Sequence, residues 1–158
     1  MPDFASSTSK PLVVAVDAMG GDFAPAEVVR GAALFVSRTT GDSSQILLVG
    51  DEAAIRALTP DFAALRPIGD ILYICTAPGE TADIVSRCFA PGAGIDEDPV
   101  TGSAHAVIAP YWAERLGRSS FTAFQASARG GRLDCTVSDD RVILGGKCAT
   151  VIEGTFTL

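Results

Sequence analysis

Histidine, tryptophan and positive charge are scarce in this chain. It has one histidine, His105, one tryptophan, Trp112, and 12 lysines and arginines against 19 aspartates and glutamates, a formal net charge of −7. Such a balance excludes nucleic acid and an anionic membrane surface as default partners, because the overall field repels polyanions. An anionic ligand therefore needs a local site that works against that field. A single histidine, with no CxxC pair and no cysteine spaced to join it, leaves no set of residues with metal-ligand spacing, so no metal is expected. No apolar stretch approaches the length of a membrane span. The opening residues "MPDFASSTSK" carry an acid and a single lysine ahead of a short apolar run, which does not read as a signal peptide. Cys75, Cys88, Cys135 and Cys148 each stand in an apolar, strand-like context. They are expected to be buried, reduced thiols of a cytoplasmic protein.

Apolar residues, by contrast, make up 47% of the 158 residues and charged ones 20%. That is enough to fill the core of one ordinary domain, and too apolar for a disordered chain. "PLVVAVDAMGG" reads as a buried strand closed by a glycine turn. "APAEVVRGAALFVSR" reads as a helix, with Pro25 in its first turn and Val28, Ala32, Phe35 and Val36 on one stripe. "QILLVG" is a second strand, and strand, helix and strand in this order imply a parallel crossover. "DEAAIRALTPDFAALR" predicts two short helices, the second capped by Thr59 with Pro60 as its first residue. "DILYICTAPG" and "TADIVSRCFAPG" predict strands. "SFTAFQASARGG", "RLDCTVSDD" and "RVILGGKCATVIEGTFTL" follow as further strands separated by Gly-Gly and Asp-Asp turns, a mostly antiparallel set.

Between these strands lies "GIDEDPVTGSAHAVIAPYWAERLG", where an acidic run and a tight turn precede a helix predicted from Ser103 to about Leu116. The helix is apolar on most sides, which predicts a central helix enclosed by curled strands and bent at Pro110. Two readings of its start stand side by side. In one, Asp98, Thr101 and Ser103 only cap and turn the chain. In the other, the unpartnered amides of the first turn, with Gly102 allowing close approach and Ser103 adding a hydroxyl, hold a small anion. Asp98 then orients it or exchanges protons with it. His105 is expected to be packed and hydrogen-bonded, and Tyr111 and Trp112 to belong to the core. Arg129, before Gly130 and Gly131, reads equally as an anion contact or a solvated turn residue.

"DPVTGSAH" together with "QASARGG" resembles the C-terminal lobe of the PhzF-type phenazine-biosynthesis isomerase family, and the likeness runs from about Gln45 to Leu158. The resemblance implies an α+β fold, with one diaminopimelate-epimerase-like lobe in which a curled, mostly antiparallel sheet surrounds a central helix. It also implies a site between two such lobes, with Asp98 catalytic and Thr101, Gly102 and Ser103 binding substrate. The implied chemistry is cofactor-free proton movement on a small carboxylated molecule. The family's first lobe supplies a general acid/base glutamate, and residues 1–44 hold no counterpart of that motif. The chain alone is therefore expected to be inactive, and the face that would meet another lobe is expected to pair in a homodimer.

Residues 12–50, with "DAMGGD" and "VVRGA", instead resemble the start of the PlsX-type phosphate acyltransferase family. This divides the chain into an N-terminal strand-helix-strand extension, residues 1–44, and a PhzF-like lobe, residues 45–158. Two further functions are thereby implied as alternatives. One is an acyl-phosphate-forming fragment built on Asp17, Gly20, Gly21 and Asp22, and the other a folded, non-catalytic module from a chimeric gene or recombined protein.

Overall fold

Alternating exposure along the chain builds a seven-stranded sheet with apolar side chains on both faces. A computed structural model describes residues 13–17 and 44–156. The strands are β1 (Val13–Asp17), β2 (Ser44–Val49), β3 (Ile71–Pro78), β4 (Ile84–Phe89), β5 (Ser120–Gln125), β6 (Gly131–Ser138) and β7 (Arg141–Gly145). They lie side by side in chain order. The helices are α1 (Glu52–Ala57), α2 (Phe62–Leu65) and α3 (Gly102–Leu116). None is long and apolar enough to cross a membrane.

β1 and β2 pair in parallel, as the strand-helix-strand pattern predicts, and β2 and β3 also pair in parallel. The helix expected near residues 24–38, and the loop with Gly20, Gly21 and Asp22, lie outside the described residues. The antiparallel set expected after α3 is found in β5, β6 and β7, whereas the curled, mostly antiparallel sheet expected for the lobe as a whole is corrected to a mixed one. β4 and β5 also pair in parallel, joined across α3, so the sheet is mixed. Antiparallel pairs are β3/β4, β5/β6 and β6/β7. The physical reason is reach: a helix between two neighbouring strands returns the chain to the end where it started.

Period-two alternation sorts the core into two layers. Tyr73, Cys75, Ala77, Val85 and Phe89 face α1 and α2, joined by Ile55, Phe62 and Leu65. Ile74, Ile84, Cys88, Phe121, Ala123, Leu133 and Cys135 face α3 and meet Ala104, Ile108, Ala109 and Trp112. β3 supplies both layers, hence its nearly continuous apolar run.

α3 itself is not enclosed. Its buried residues are Ala104, His105, Ile108, Ala109 and Trp112, one face at helical spacing, whereas Gly102, Ser103, Ala106, Pro110, Glu114 and Arg115 are exposed. The sheet covers one side of the helix only. Gly117 ends it in the left-handed conformation, φ 65°, and closes bonds to the carbonyls of Ala113 and Glu114.

Three other expectations change. α2 is capped by Asp61, whose Oδ1 accepts from the Ala64 amide at 3.1 Å, so the helix starts at Phe62 and Thr59 and Pro60 precede it. A carboxylate three residues before a free amide outbids a hydroxyl five residues away. Cys148 is exposed, unlike the other three thiols. And residues 146–156 form no strand, because the alternating pattern there meets no neighbouring ladder.

One buried group stays unmet. Tyr73 is 2% exposed, its hydroxyl has no hydrogen-bond partner among the described residues, and burial pushes its pKa up to about 12. Leaving a hydroxyl unpaired costs about 1–3 kcal/mol. Tyr73→Phe is therefore expected to stabilise the fold by about 1 kcal/mol, read as a higher urea midpoint with an unchanged slope.

Candidate functional site

The acidic run before α3 divides its work among three partners. Asp96 pairs with Arg66, both oxygens lying within 2.8 Å of one guanidinium nitrogen. Glu97 pairs with Arg87 at 2.8 Å and 3.1 Å. The remaining Arg87 nitrogen donates to the Leu58 carbonyl at 2.7 Å and, at 3.3 Å, to those of Ile55 and Arg56. Arg87 thus caps the C-terminal end of α1 and holds the acidic loop at the same time. Only Asp98 is left to face the helix start.

Asp98 is fixed by backbone and side chain. Its N–H donates to the Cys88 carbonyl at 3.0 Å, and its Oδ2 accepts from the Thr101 hydroxyl. Above both stands Gln125, the last residue of β5 and fully buried. Its Oε1 accepts from the Thr101 N–H at 2.7 Å. Its Nε2 donates to the Asp98 carbonyl at 2.6 Å and to the Thr101 hydroxyl at 3.1 Å. The donors have one order: Gln125 gives to Thr101, and Thr101 gives to Asp98. Ser127 adds a further tie, donating to the Pro99 carbonyl at 2.7 Å and accepting from the Gly130 N–H at 3.1 Å.

This network explains why the helix start is open. Thr101 is the N-cap of α3, yet its side chain makes no capping bond, because the hydroxyl points back to Asp98. The amides of Gly102, Ser103 and Ala104 consequently have no acceptor among the described residues. Gly102 and Ser103 are exposed.

Beside Gly102 opens a groove of about 580 Å³, with Val100, Leu133 and Leu144 on its walls and Arg129, Arg132 and Lys147 on its rim. Arg132 is held by the Thr81 carbonyl at 3.2 Å. Neither Arg129 nor Lys147 has an acidic partner among the described residues. Gly131 lets the walls close up: a Cβ there would overlap the Val100 side chain. The structure therefore brings Asp98, Thr101, Gly102 and Ser103 to one corner, but only Gly102 lines the groove. Arg129 was read from the sequence as an anion contact or a turn residue, whereas Gln125, Arg132 and Lys147 were missed. "FQASARGG" holds the only signal, a glutamine closing an alternating strand.

Under the helix start lies His105, fully buried. Its Nδ1 is 2.7 Å from the Thr101 carbonyl, which can only accept, so Nδ1 carries the proton. Nε2, 3.2 Å from the Ser86 hydroxyl, then accepts from it. Burial lowers the pKa of His105 below its ordinary value, and the bond to Thr101 works against that shift. The ring is thus a neutral strut. Trp112 is likewise a core residue, donating to Thr76 Oγ1 at 3.0 Å. Among the described residues no cluster of histidine, cysteine and acidic side chains is placed to hold a metal.

Two outcomes follow from these bonds. Gln125→Leu keeps the volume but strips partners from the Thr101 N–H and the Asp98 carbonyl. It is expected to cost about 3 kcal/mol in urea unfolding and to speed amide exchange of residue 101. His105 gives a pH dependence with a defined sign. Below about 6.5 the unfolded chain takes up a proton that the folded chain refuses, so stability falls from there toward the lower folded pKa. Glu52 and Asp83, whose pKa values are lowered, add their loss only below the carboxylate range. Urea midpoints between about pH 7 and 5 should decline, and His105→Gln should flatten that interval alone.

Comparison with known proteins gives the family and the fold. The phenazine biosynthesis-like protein family, PhzC-PhzF, matches residues 11–154, a span that takes in residues 12–50, for which an acyltransferase likeness was expected. An uncharacterized isomerase of Pseudomonas aeruginosa is 48% identical over 113 residues, 72% of this chain and 44% of that protein. Another, of Halalkalibacterium halodurans, is 38% identical over 139 residues, 85% of this chain and 52% of that protein. The crystal structure of a PhzF family protein from Enterococcus faecalis superposes with a TM-score of 0.60 at 46% identity, over 67% of this chain and 41% of that one. The chain spans about half the length of the curated relatives it matches. With the family matched over nearly its whole length and the fold shared, the chain belongs to the PhzC-PhzF family of phenazine biosynthesis-like proteins.

Proposed function

We propose that the chain supplies the substrate-holding half of a PhzF-type isomerase site and that the molecule held is small and carboxylated. The observation that carries this reading is the first turn of α3, where the amides of exposed Gly102 and Ser103 have no acceptor among the described residues, beside a groove lined by Arg129, Arg132 and Lys147. In a chain of net charge −7 this is a local reversal of sign. A carboxylate there takes hydrogen bonds from the exposed amides of Gly102 and Ser103 and from the Ser103 hydroxyl. Val100, Leu133 and Leu144 give the rest of the molecule an apolar wall. Asp98 orients it or passes a proton, with one oxygen fixed by Thr101 and the loop fixed by Gln125. Thr101 then positions Asp98 and does not itself bind the ligand.

Moving a proton between carbons needs a group that takes it and a group that returns it, and lack of one costs about 10²–10⁴ in rate. Asp98 is one such group. The resemblance places the other, a glutamate, in a first lobe whose motif residues 1–44 do not contain. The reading is therefore of binding without turnover by residues 1–158.

Titration with benzoate, followed by amide NMR, tests the binding. Resonances of Gly102 and Ser103 should shift and saturate, and Ser103→Ala and Arg129→Gln should each weaken binding about tenfold, the worth of one charge-assisted bond. Unmoved amides would sink the reading. Incubation in D₂O with a dihydro-hydroxyanthranilate-like acid or an amino diacid should show no C–H exchange. Exchange that disappears in Asp98→Asn would prove turnover and overturn the second half of the proposal.

A further inference from the structure

His105 spends both ring nitrogens inside the protein. Nε2 reaches down to β4, 3.2 Å from the hydroxyl of Ser86, which is itself fully buried. Nδ1 reaches back along α3 to the Thr101 carbonyl at 2.7 Å. That carbonyl already accepts the His105 N–H at 3.2 Å, the bond with which the helix begins. The helix needs only the main-chain bond, and the ring bond is extra. It falls on the peptide unit whose other end is the Gly102 N–H, an amide with no acceptor among the described residues.

Resting on the reading of that turn as a carboxylate site, we propose that His105 is a positioning residue for the ligand and acts through the peptide unit between Thr101 and Gly102. The unit is planar and trans, so its C=O and N–H point in opposite directions. Fixing the carbonyl at one end aims the N–H at the other. A donor on the carbonyl also polarises the unit, which strengthens donation by its N–H by about 10–30%. The donors run one way: Ser86 gives to Nε2, Nδ1 gives to the Thr101 carbonyl, and the Gly102 N–H gives to the ligand.

One tautomer alone serves this role. Burial lowers the pKa of the ring and keeps it neutral at pH 7, so its single proton must sit on Nδ1 for the carbonyl to be met. All three polar groups of Thr101 are then held, its N–H by Gln125, its hydroxyl proton by Asp98 and its carbonyl by His105. The first two bonds fix Asp98 and its loop, and the third fixes the amide beside the groove. The Ser103 N–H belongs to the next peptide unit, to which the ring donates nothing, and is the internal control.

NMR of the full chain tests this. In the parent at pH 7 the imidazole nitrogen spectrum should show Nδ1 protonated and Nε2 bare, a readout that needs no variant. His105→Leu removes the donor, whereas His105→Asn keeps an N–H where Nδ1 stood. Both lack the ring, so the difference between them reports the bond alone. Without ligand, the Thr101 carbonyl carbon and the Gly102 amide proton should lie upfield in His105→Leu relative to His105→Asn, with the Ser103 amide proton unmoved. Benzoate should bind His105→Leu about threefold more weakly than His105→Asn. A proton on Nε2 in the parent, or Leu and Asn variants alike in Gly102 shift and benzoate affinity, would overturn the proposal. Parent amides that ignore benzoate would instead sink the carboxylate reading, with the shift difference between the two variants still present.

Discussion

The carboxamide of Gln125 sits in the interior, where an unmet polar atom costs far more than a hydrogen bond gains, and so it dictates what its neighbours do. Its oxygen takes the Thr101 N–H, and its nitrogen takes the Asp98 carbonyl and the Thr101 hydroxyl. The Thr101 hydroxyl is held between the Gln125 amide, from which it accepts, and Asp98, to which it gives its proton, and it makes no bond to the helix amides. The open helix start is thus a product of a buried amide at the end of a different strand. Nothing in the local turn "DPVTGS" alone would produce it, since threonine at an N-cap ordinarily closes the site it here leaves open.

How much could be read in advance depends on whether the signal was local. β3 and β4 are legible because short apolar runs bounded by turn residues leave room only for strands, and α3 starts within one residue of expectation because a small-residue turn precedes an apolar run. The parallel pairing of β4 and β5 was also written there, as a helix between two strands, but the hairpins that follow obscured it. Gln125 was hidden for a different reason. A polar residue closing an apolar strand looks like the point where the chain surfaces, and only the loop folded over it, from Asp98 to Thr101, shows that it does not. Arg129, Arg132 and Lys147 converge through turns at Gly130 and Gly146, so their spacing in sequence carries no trace of a common rim.

The acidic loop shows the same economy. Three adjacent carboxylates would repel one another if left to solvent, yet Arg66 and Arg87 neutralise two of them and tie the loop to the residue after α2 and to β4. Arg87 does so while satisfying the carbonyls at the end of α1, so helix, strand and loop share one guanidinium. The pair is largely shielded from water, where such a bidentate contact is worth more than an exposed one.

The placement of the cysteines has a consequence for how the molecule's motions can be watched. Burial raises the thiol of Cys88 to about 12 and that of Cys135 to about 11, and raises that of Cys75 as well, so none presents a thiolate while its surroundings stay closed. Cys75 lies in the layer beneath α1 and α2, whereas Cys88 and Cys135 lie in the layer beneath α3. Cys148 stands outside both layers, in water. An alkylating reagent therefore meets one thiol at once and the others only when a particular layer opens. The native chain carries its own set of clocks, one for each face of the sheet and a reference that never stops.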